Sequence, residues 1–413
     1  MASMITKLSP MLALFAIGQT NAVEVSGHGQ LQATWQHDDN RKAWYQPGWG
    51  VTRFGQAESD LVLSRGVVDW RVDFDSAWSL HGVMQYVPDP DDKLGFTELY
   101  LQYRTLPKNG RRLIVRTGGF YPSFSIENPD IGWSSPYHYQ YSAINAWIGE
   151  EVRVFGSEIA VEQPSTRRSR GKGYKGVAGI FKGNDPAGTL LAWRGFTVHD
   201  RQSVFNESIP FAAVASLNTP QLQHQAQYVE PFTEIDGRFG YYFGYHHDFS
   251  ARSAVNVYWY DNNGDPSKIN YRTGQYAWDT KFISAAWRYK LSTQTQLLFQ
   301  GMAGNTAMGT NRGVDNDFNS WFLLLTHKRN AWRFSVRAEQ FKVIDKDDWQ
   351  FDPNQSHGHG FTITAKYQLH SNWIVGAEWL GLTTTVANRE AFNGKPKQTD
   401  SVWRLSAEYR FSL

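Results

Sequence analysis

The 413-residue chain contains no cysteine, so no disulfide staples the fold and no thiolate holds a metal. That absence fits an exported protein whose folding does not rely on oxidation. Charge is scarce: Asp, Glu, Lys and Arg make up 19% of residues, against ~25% in ordinary soluble domains. The formal net charge is only +2, without the basic surplus that a nucleic-acid partner calls for. Long hydrophobic runs are missing as well. Beyond residue 22 the apolar clusters, such as Trp321–Leu325, last a few residues, far short of the ~20 a spanning helix needs. Hydrocarbon offers no partner to an unpaired peptide group, so only helices and closed barrels span it. The choice is therefore between an all-β secreted protein and a transmembrane β-barrel.

What is present in quantity is aromatic residues, 15% of the chain, with 17 Trp, 20 Tyr and 25 Phe, together with 36 Gly. The N-terminus carries Lys7, then an apolar stretch Met11–Ile17, then small residues at Thr20 and Ala22. This is the layout of a cleavable export signal, too short for a membrane anchor. Residues 1–22 are expected to be a signal peptide and 23–413 the folded part.

The rest of the chain alternates with a period of two, the mark of strands with two distinct faces. Trp403, Leu405, Ala407, Tyr409, Phe411 and Leu413 share one face, with Arg404, Ser406, Glu408, Arg410 and Ser412 on the other. Val25–Trp35, Glu98–Arg104, Arg112–Thr117, Trp332–Glu339 and Phe361–Tyr367 repeat the pattern. Alternation alone fits a soluble sandwich equally well. The aromatics decide. Tyr289, Tyr367 and Tyr409 each precede an apolar residue and a short polar turn, as an interfacial girdle requires. Short turns near 250–252, 292–293, 329–330 and 370–371 alternate with longer polar connections at 262–274, 304–315, 345–355 and 388–398. That asymmetry is typical of outer-membrane barrels. Seventeen candidate segments can be read, among them 149–163, 187–198 and 232–249. An even number is expected, so one is surplus, and the pattern is poorest across 120–163. The expectation is an all-β, antiparallel, up-and-down transmembrane barrel of 16 strands, with 18 as the alternative.

With its export signal, its insertion Phe120–Trp147 after an arginine-bearing strand, and its alternating final segment, the chain resembles bacterial outer-membrane porins. It is most similar to the sixteen-stranded kind, including the phosphate-selective group. It departs from the usual pattern in ending at Leu413 rather than an aromatic, and no lysine-rich ladder stands out. The resemblance implies passive diffusion of small polar or charged solutes through a water-filled lumen. It also implies residence in the outer membrane against lipid and lipopolysaccharide, a possible homotrimer, and no cofactor. It further implies one long loop folded inward as a constriction. Gly119–Gly149 is the candidate, broken by Pro122, Pro129 and Pro136 and carrying Glu127, Asn128, Asp130, Trp133 and Ser134.

Opposed acidic and basic rows across a constriction sort solutes by charge. Glu127 and Asp130 are the acidic candidates, and Arg104, Arg112, Arg116 and Arg153 the basic ones. Arg71, Arg337 and Arg404 are secondary candidates. The run Arg167–Lys172 reads as a solvated loop or as a lipopolysaccharide phosphate contact. Catalytic readings find little. His246 and His247 point to opposite faces, His357 and His359 lack a third ligand, and no Gly-x-Ser-x-Gly elbow exists. Gly183–Gly188 reads as a tight turn. The main alternative to a diffusion channel is a barrel that binds ligands through surface loops, for which 202–229 is the candidate; a barrel enzyme is the third reading.

Overall fold

The computed structural model describes residues 23–38, 43–44, 50–55, 61–74, 77–166, 169–212, 214–220, 222–349 and 352–413. The expected signal peptide lies outside the described residues. Sixteen antiparallel strands close into one barrel. In chain order they are β1 Glu24–Asp38, β2 Val62–Asp73, β3 Trp78–Val87, β4 Lys93–Arg104, β5 Arg112–Phe120, β6 Val154–Gln163, β7 Gly173–Lys182 and β8 Gly240–Asp248. They continue as β9 Ser253–Asp261, β10 Asp279–Lys290, β11 Thr295–Met308, β12 Val314–Arg329, β13 Trp332–Asp345, β14 Ser356–Gln368, β15 Trp373–Val386 and β16 Lys397–Ser412. Each strand pairs with its sequence neighbour, and β1 closes the ring on β16 through a register running from His28 opposite Ser412 to His37 opposite Trp403. Closure leaves no unpaired sheet edge.

The period of two explains both faces. On β12, Phe318, Ser320, Phe322 and Leu324 are buried inside while Trp321, Leu323 and Leu325 are exposed outside. Ile159, Ile180, Phe243, Ile283, Phe361 and Leu405 extend that outer apolar band around the barrel. Water would penalise a belt of this extent and lipid would not. At the turn end the band is edged by outward aromatics in contact across strands: Trp332 with Tyr367 at 4.7 Å, Trp373 with Tyr409 at 5.0 Å, and Trp78 with Tyr103 at 4.8 Å. This is the girdle expected from Tyr289, Tyr367 and Tyr409. The tightest hairpin, between β12 and β13, turns at Asn330 with φ +53°, a backbone that Asn tolerates well.

The surplus strand is not in 120–163 but at 187–198. That segment contains a short helix, α2 (Thr189–Arg194), whose residues are all buried. Gly188 at φ +111° and Gly195 at φ +76° bracket it. Its Leu190, Leu191 and Trp193 are apolar on every side because the segment lies inside the barrel, so no alternation exists to distinguish helix from strand. The expected segment 232–249 begins only at Gly240, and 149–163 begins as helix α1 (Ala143–Glu151) before β6 starts.

Two long loops, L3 (121–153) and L4 (183–239), fold into the lumen. Phe124, Trp147 and Phe196 pack there against inward Tyr258, Phe282, Phe318 and Phe341. A second cluster at the loop end joins Trp44, Trp193, Phe211 and Leu217 to Trp278 and Val314. The wall is polar where it faces the turn end. On the loop side it carries an apolar patch, Phe282, Phe318, Phe341 and Leu382, where the loops cover it, beside buried polar positions such as Gln36, Thr280, Asn316 and Arg404. Two small two-stranded ladders, Ile209–Pro210 with Tyr228–Val229 and Ile269–Asn270 with Gln275–Tyr276, stiffen the loop end. Much of the stretch 202–229, the candidate under the alternative ligand-binding reading, is anchored in this packing: Val204, Ile209, Leu217 and Leu222 are buried.

Candidate functional site

The site is the lumen where L3 crosses it. Prolines 122, 129 and 136 deny L3 a regular ladder, so its peptide groups must find other partners. Wall carboxylates supply them. Glu378 on β15 accepts from the amides of Tyr139 at 2.6 Å and Gln140 at 3.0 Å, and Glu339 on β13 accepts from Ala143 at 2.8 Å. Charged acceptors make such bonds worth ~1.5–3 kcal/mol each. Ser142 then caps α1, its hydroxyl accepting from the Asn145 amide at 3.4 Å. The helix ends buried, with the Trp147 indole donating to Glu151 at 2.7 Å.

Glu127 sits at the hub. It is fully buried and accepts from Arg337 at 2.6 Å, from the Ser142 amide at 3.0 Å and hydroxyl at 2.7 Å, and from Asn145 at 2.8 Å. Asp130 lies nearer the turn end, paired with Arg410 at 2.8 Å. Burial pushes its pKa up, but Arg410 and the Ile131 amide pull harder and hold it below the ordinary value. Both acidic candidates are in direct contact with wall arginines, and the partners are Arg337 and Arg410.

The four main basic candidates are placed otherwise. Arg112 and Arg116 lie directly opposite Glu162 and Glu158 in the β5–β6 register. They pair within the wall, at 2.8 Å in each case, the second as a two-pronged fork. Direct cross-strand opposition outcompetes a loop carboxylate further off. Arg153 is fully buried; it donates to the Tyr121 hydroxyl and the Ser203 carbonyl, and its guanidinium lies 4.4 Å from the Phe232 ring centroid. Arg104 ends β4 at the turn rim and makes no ion pair among the described residues. These four do not form a row opposing Glu127 and Asp130. Of the secondary candidates, Arg71 pairs with Asp73 on its own strand, Arg337 joins the Glu127 hub, and Arg404 pairs with Asp200 of L4 at 3.2 Å.

Sequence reasoning missed the ion pairs that hold L4. Asp200 bridges Arg404 and Arg53, Arg53 also reaches Asp89 at 2.7 Å, and Arg201 pairs with Glu207. Burial raises the Asp200 pKa, yet the surrounding arginines hold it far below the carboxylate range. Glu150, bound by Arg194 and 3.1 Å from His199, is likewise drawn down to about 2 against burial. Its neighbour Glu151 makes no ion pair among the described residues, and burial pushes it up to about 7. No spacing rule links residues this far apart; the one available signal was the charge density of His199–Arg201, in a stretch with little alternation.

The remaining candidates resolve simply. Arg170–Lys172 belong to the connection between β6 and β7, at the end of the short turns, where Ser169 bonds to Thr166 at 3.1 Å. Arg167 and Arg168 lie outside the described residues. His246 faces inward and contacts the Tyr258 hydroxyl at 2.6 Å, while His357 and His359 are exposed outside. Among the described residues, Asp185, Glu234 and Asp236 bring carboxylate oxygens within 4.8 Å of one another. Asp185 accepts from the amides of Ile235 and Asp236, and Glu234 from those of Gly183 and Gly237. The trio thus already serves to fold the rim of L4.

No protein-family model matches the chain, and no curated protein matches it. Solved structures do. An anion-selective porin from Comamonas acidovorans aligns with TM-score 0.54 and 12% identity, over 94% of this chain and 100% of that one. The outer membrane channel DcaP of Acinetobacter baumannii aligns with TM-score 0.54 and 11% identity, over 95% and 99%. OmpT, an outer membrane protein of Vibrio cholerae, aligns with TM-score 0.52 and 11% identity, over 96% and 100%. At these identities the likeness is one of architecture: the chain has the closed-barrel fold of these outer-membrane proteins.

Proposed function

We propose that this protein is an outer-membrane diffusion channel for small polar and charged solutes, with a preference for anions. The observation that carries the reading is the inward face of the turn-side lumen. Arg112, Arg116 and Lys175 outnumber Glu158 and Glu162 on one wall, and Lys328, Arg333, Lys366 and Arg410 outnumber Glu408 and the facing Asp130 on the other, in a barrel whose outer face is apolar. Cations on both walls of a low-dielectric tube raise the local concentration of anions. L3 and L4 fill the loop-side half, so the passage is narrow and large solutes are excluded. The fold shared with an anion-selective porin agrees with this. The fold also suits an exported protein that works without cofactor in a lipid and lipopolysaccharide environment, alone or as a homotrimer.

Reconstitution in planar bilayers under a KCl gradient tests the reading. Anion preference is expected in the sign of the reversal potential. R112Q/R116Q leaves Glu158 and Glu162 with Lys175 as the remaining cation on that wall, and the reversal potential should move toward cation preference. A closed barrel with no conductance steps would refute the channel, and an unmoved potential would remove Arg112 and Arg116 from the solute path.

A further inference from the structure

The inward face at the turn end carries an arrangement that the ion pairs do not explain. Lys328 on β12 stands directly opposite Arg333 on β13, and Arg333 directly opposite Lys366 on β14. Three cations thus occupy one row on one face of three adjacent strands. Like charges placed directly opposite destabilise a sheet. Lys366 is compensated: it reaches Glu408 at 3.4 Å and the carbonyls of Ser135 and His138 at 3.2 and 3.3 Å. Lys328 and Arg333 are not. Arg333 donates weakly to the Thr326 hydroxyl at 3.4 Å and lies 5.4 Å from the Tyr137 ring centroid, and neither residue meets a carboxylate among the described residues.

The row borders a cavity of about 440 Å³, walled by L3 at Pro129, Asp130 and Pro136 and by the turn at Asn330 and Ala331. Asp130 is the one carboxylate in that lining, and it is already bound to Arg410 at 2.8 Å. The cavity therefore presents two uncompensated cations, two compensated ones behind them, and no free acid.

We infer that this cavity is a binding site for a small dianionic oxyanion, a phosphate or a dicarboxylate, with Lys328 and Arg333 as its primary ligands. The guanidinium offers a planar fork to two oxygens and the ammonium a point charge. The Tyr137 ring lies beside Arg333, with its centroid 5.4 Å from the guanidinium carbon. A bound dianion relieves the repulsion along the row, which a single monoanion does only in part. The site deepens the channel reading, on which its place along a solute path rests: it would hold anions at the turn-side mouth, just beyond L3.

Isothermal titration of the detergent-solubilised barrel tests the site without needing conduction. Inorganic phosphate, succinate and lactate are titrated at constant ionic strength, with folding checked by heat-modifiable gel mobility. Phosphate or succinate should bind at least about tenfold more tightly than lactate, and K328Q/R333Q should weaken that binding by about tenfold or more. R333K and K328R, which keep the charge, should retain it in K328R and lose part of it in R333K. Equal affinity for lactate, or a titration that K328Q/R333Q leaves unchanged, would overturn the site. Anion-preferring conductance with an unaltered titration overturns the site alone. Lost binding in the double variant, with no conductance in the parent, keeps the site and overturns the channel.

Discussion

Removal of the Glu127 carboxylate should release L3 from the barrel wall. Glu127 is fully buried and serves four donors on Arg337, Ser142 and Asn145. Breaking one side of a buried pair costs ~3–5 kcal/mol, because the charge left behind stays desolvated. Arg337 keeps Glu339 at 2.8 Å and the Gln140 carbonyl at 2.8 Å, which places E127A at the lower end, ~3 kcal/mol. An equilibrium between seated and released L3 then shifts by roughly 100-fold. E127Q keeps the volume and one acceptor oxygen and should fall between E127A and the parent. Single-channel recording should show higher mean conductance and greater open-level noise in the order parent, E127Q, E127A. Limited proteolysis should cut within 121–142 faster in the same order. If E127A conducts with parental amplitude and noise and resists protease equally, L3 is not held by this hub.

Two further outcomes follow from the packing of L4. Burial pushes the Glu151 pKa up to about 7 against an ordinary 4.5. The folded state therefore binds the proton more tightly than the unfolded chain. The stability this lends is complete below about 4.5 and is lost as pH rises through about 7. Urea unfolding followed by tryptophan fluorescence should show that slope between the two values, and E151Q should flatten it; an unchanged slope would assign it to another group. At Gly188, φ is +111° and a Cβ would stand 2.0 Å from the Thr306 hydroxyl oxygen. G188A should displace α2 and destabilise the barrel by more than ~2 kcal/mol, seen as a lower temperature of the heat-modifiable gel shift; an unchanged transition would show that α2 is not seated through that turn.

Much of this protein was legible along the chain because a barrel strand is a local statement. Its two faces meet lipid and lumen, so alternation such as Trp403–Leu413 reads directly, and the turn-side aromatics declare the interface. L3 was legible too, since prolines 122, 129 and 136 exclude a strand. Its acids Glu127 and Asp130 could be named from the chain, but the basic row read against them, Arg104, Arg112, Arg116 and Arg153, is not the one they meet.

What tertiary structure alone decided is everything that depends on closure. The partners of Glu127 and Asp130 are Arg337 and Arg410, 210 and 280 residues away, and no pattern marks such distances. Arg112 and Arg116 were drawn instead to carboxylates directly opposite on β6, a choice made by register. The segment 187–198 became a helix inside the lumen, where burial on all sides removes the periodicity that would announce it. A chain can encode which face of a strand is wet or greasy residue by residue, but which charges share one cross-section is settled only when the ring has closed and the loops have filled it.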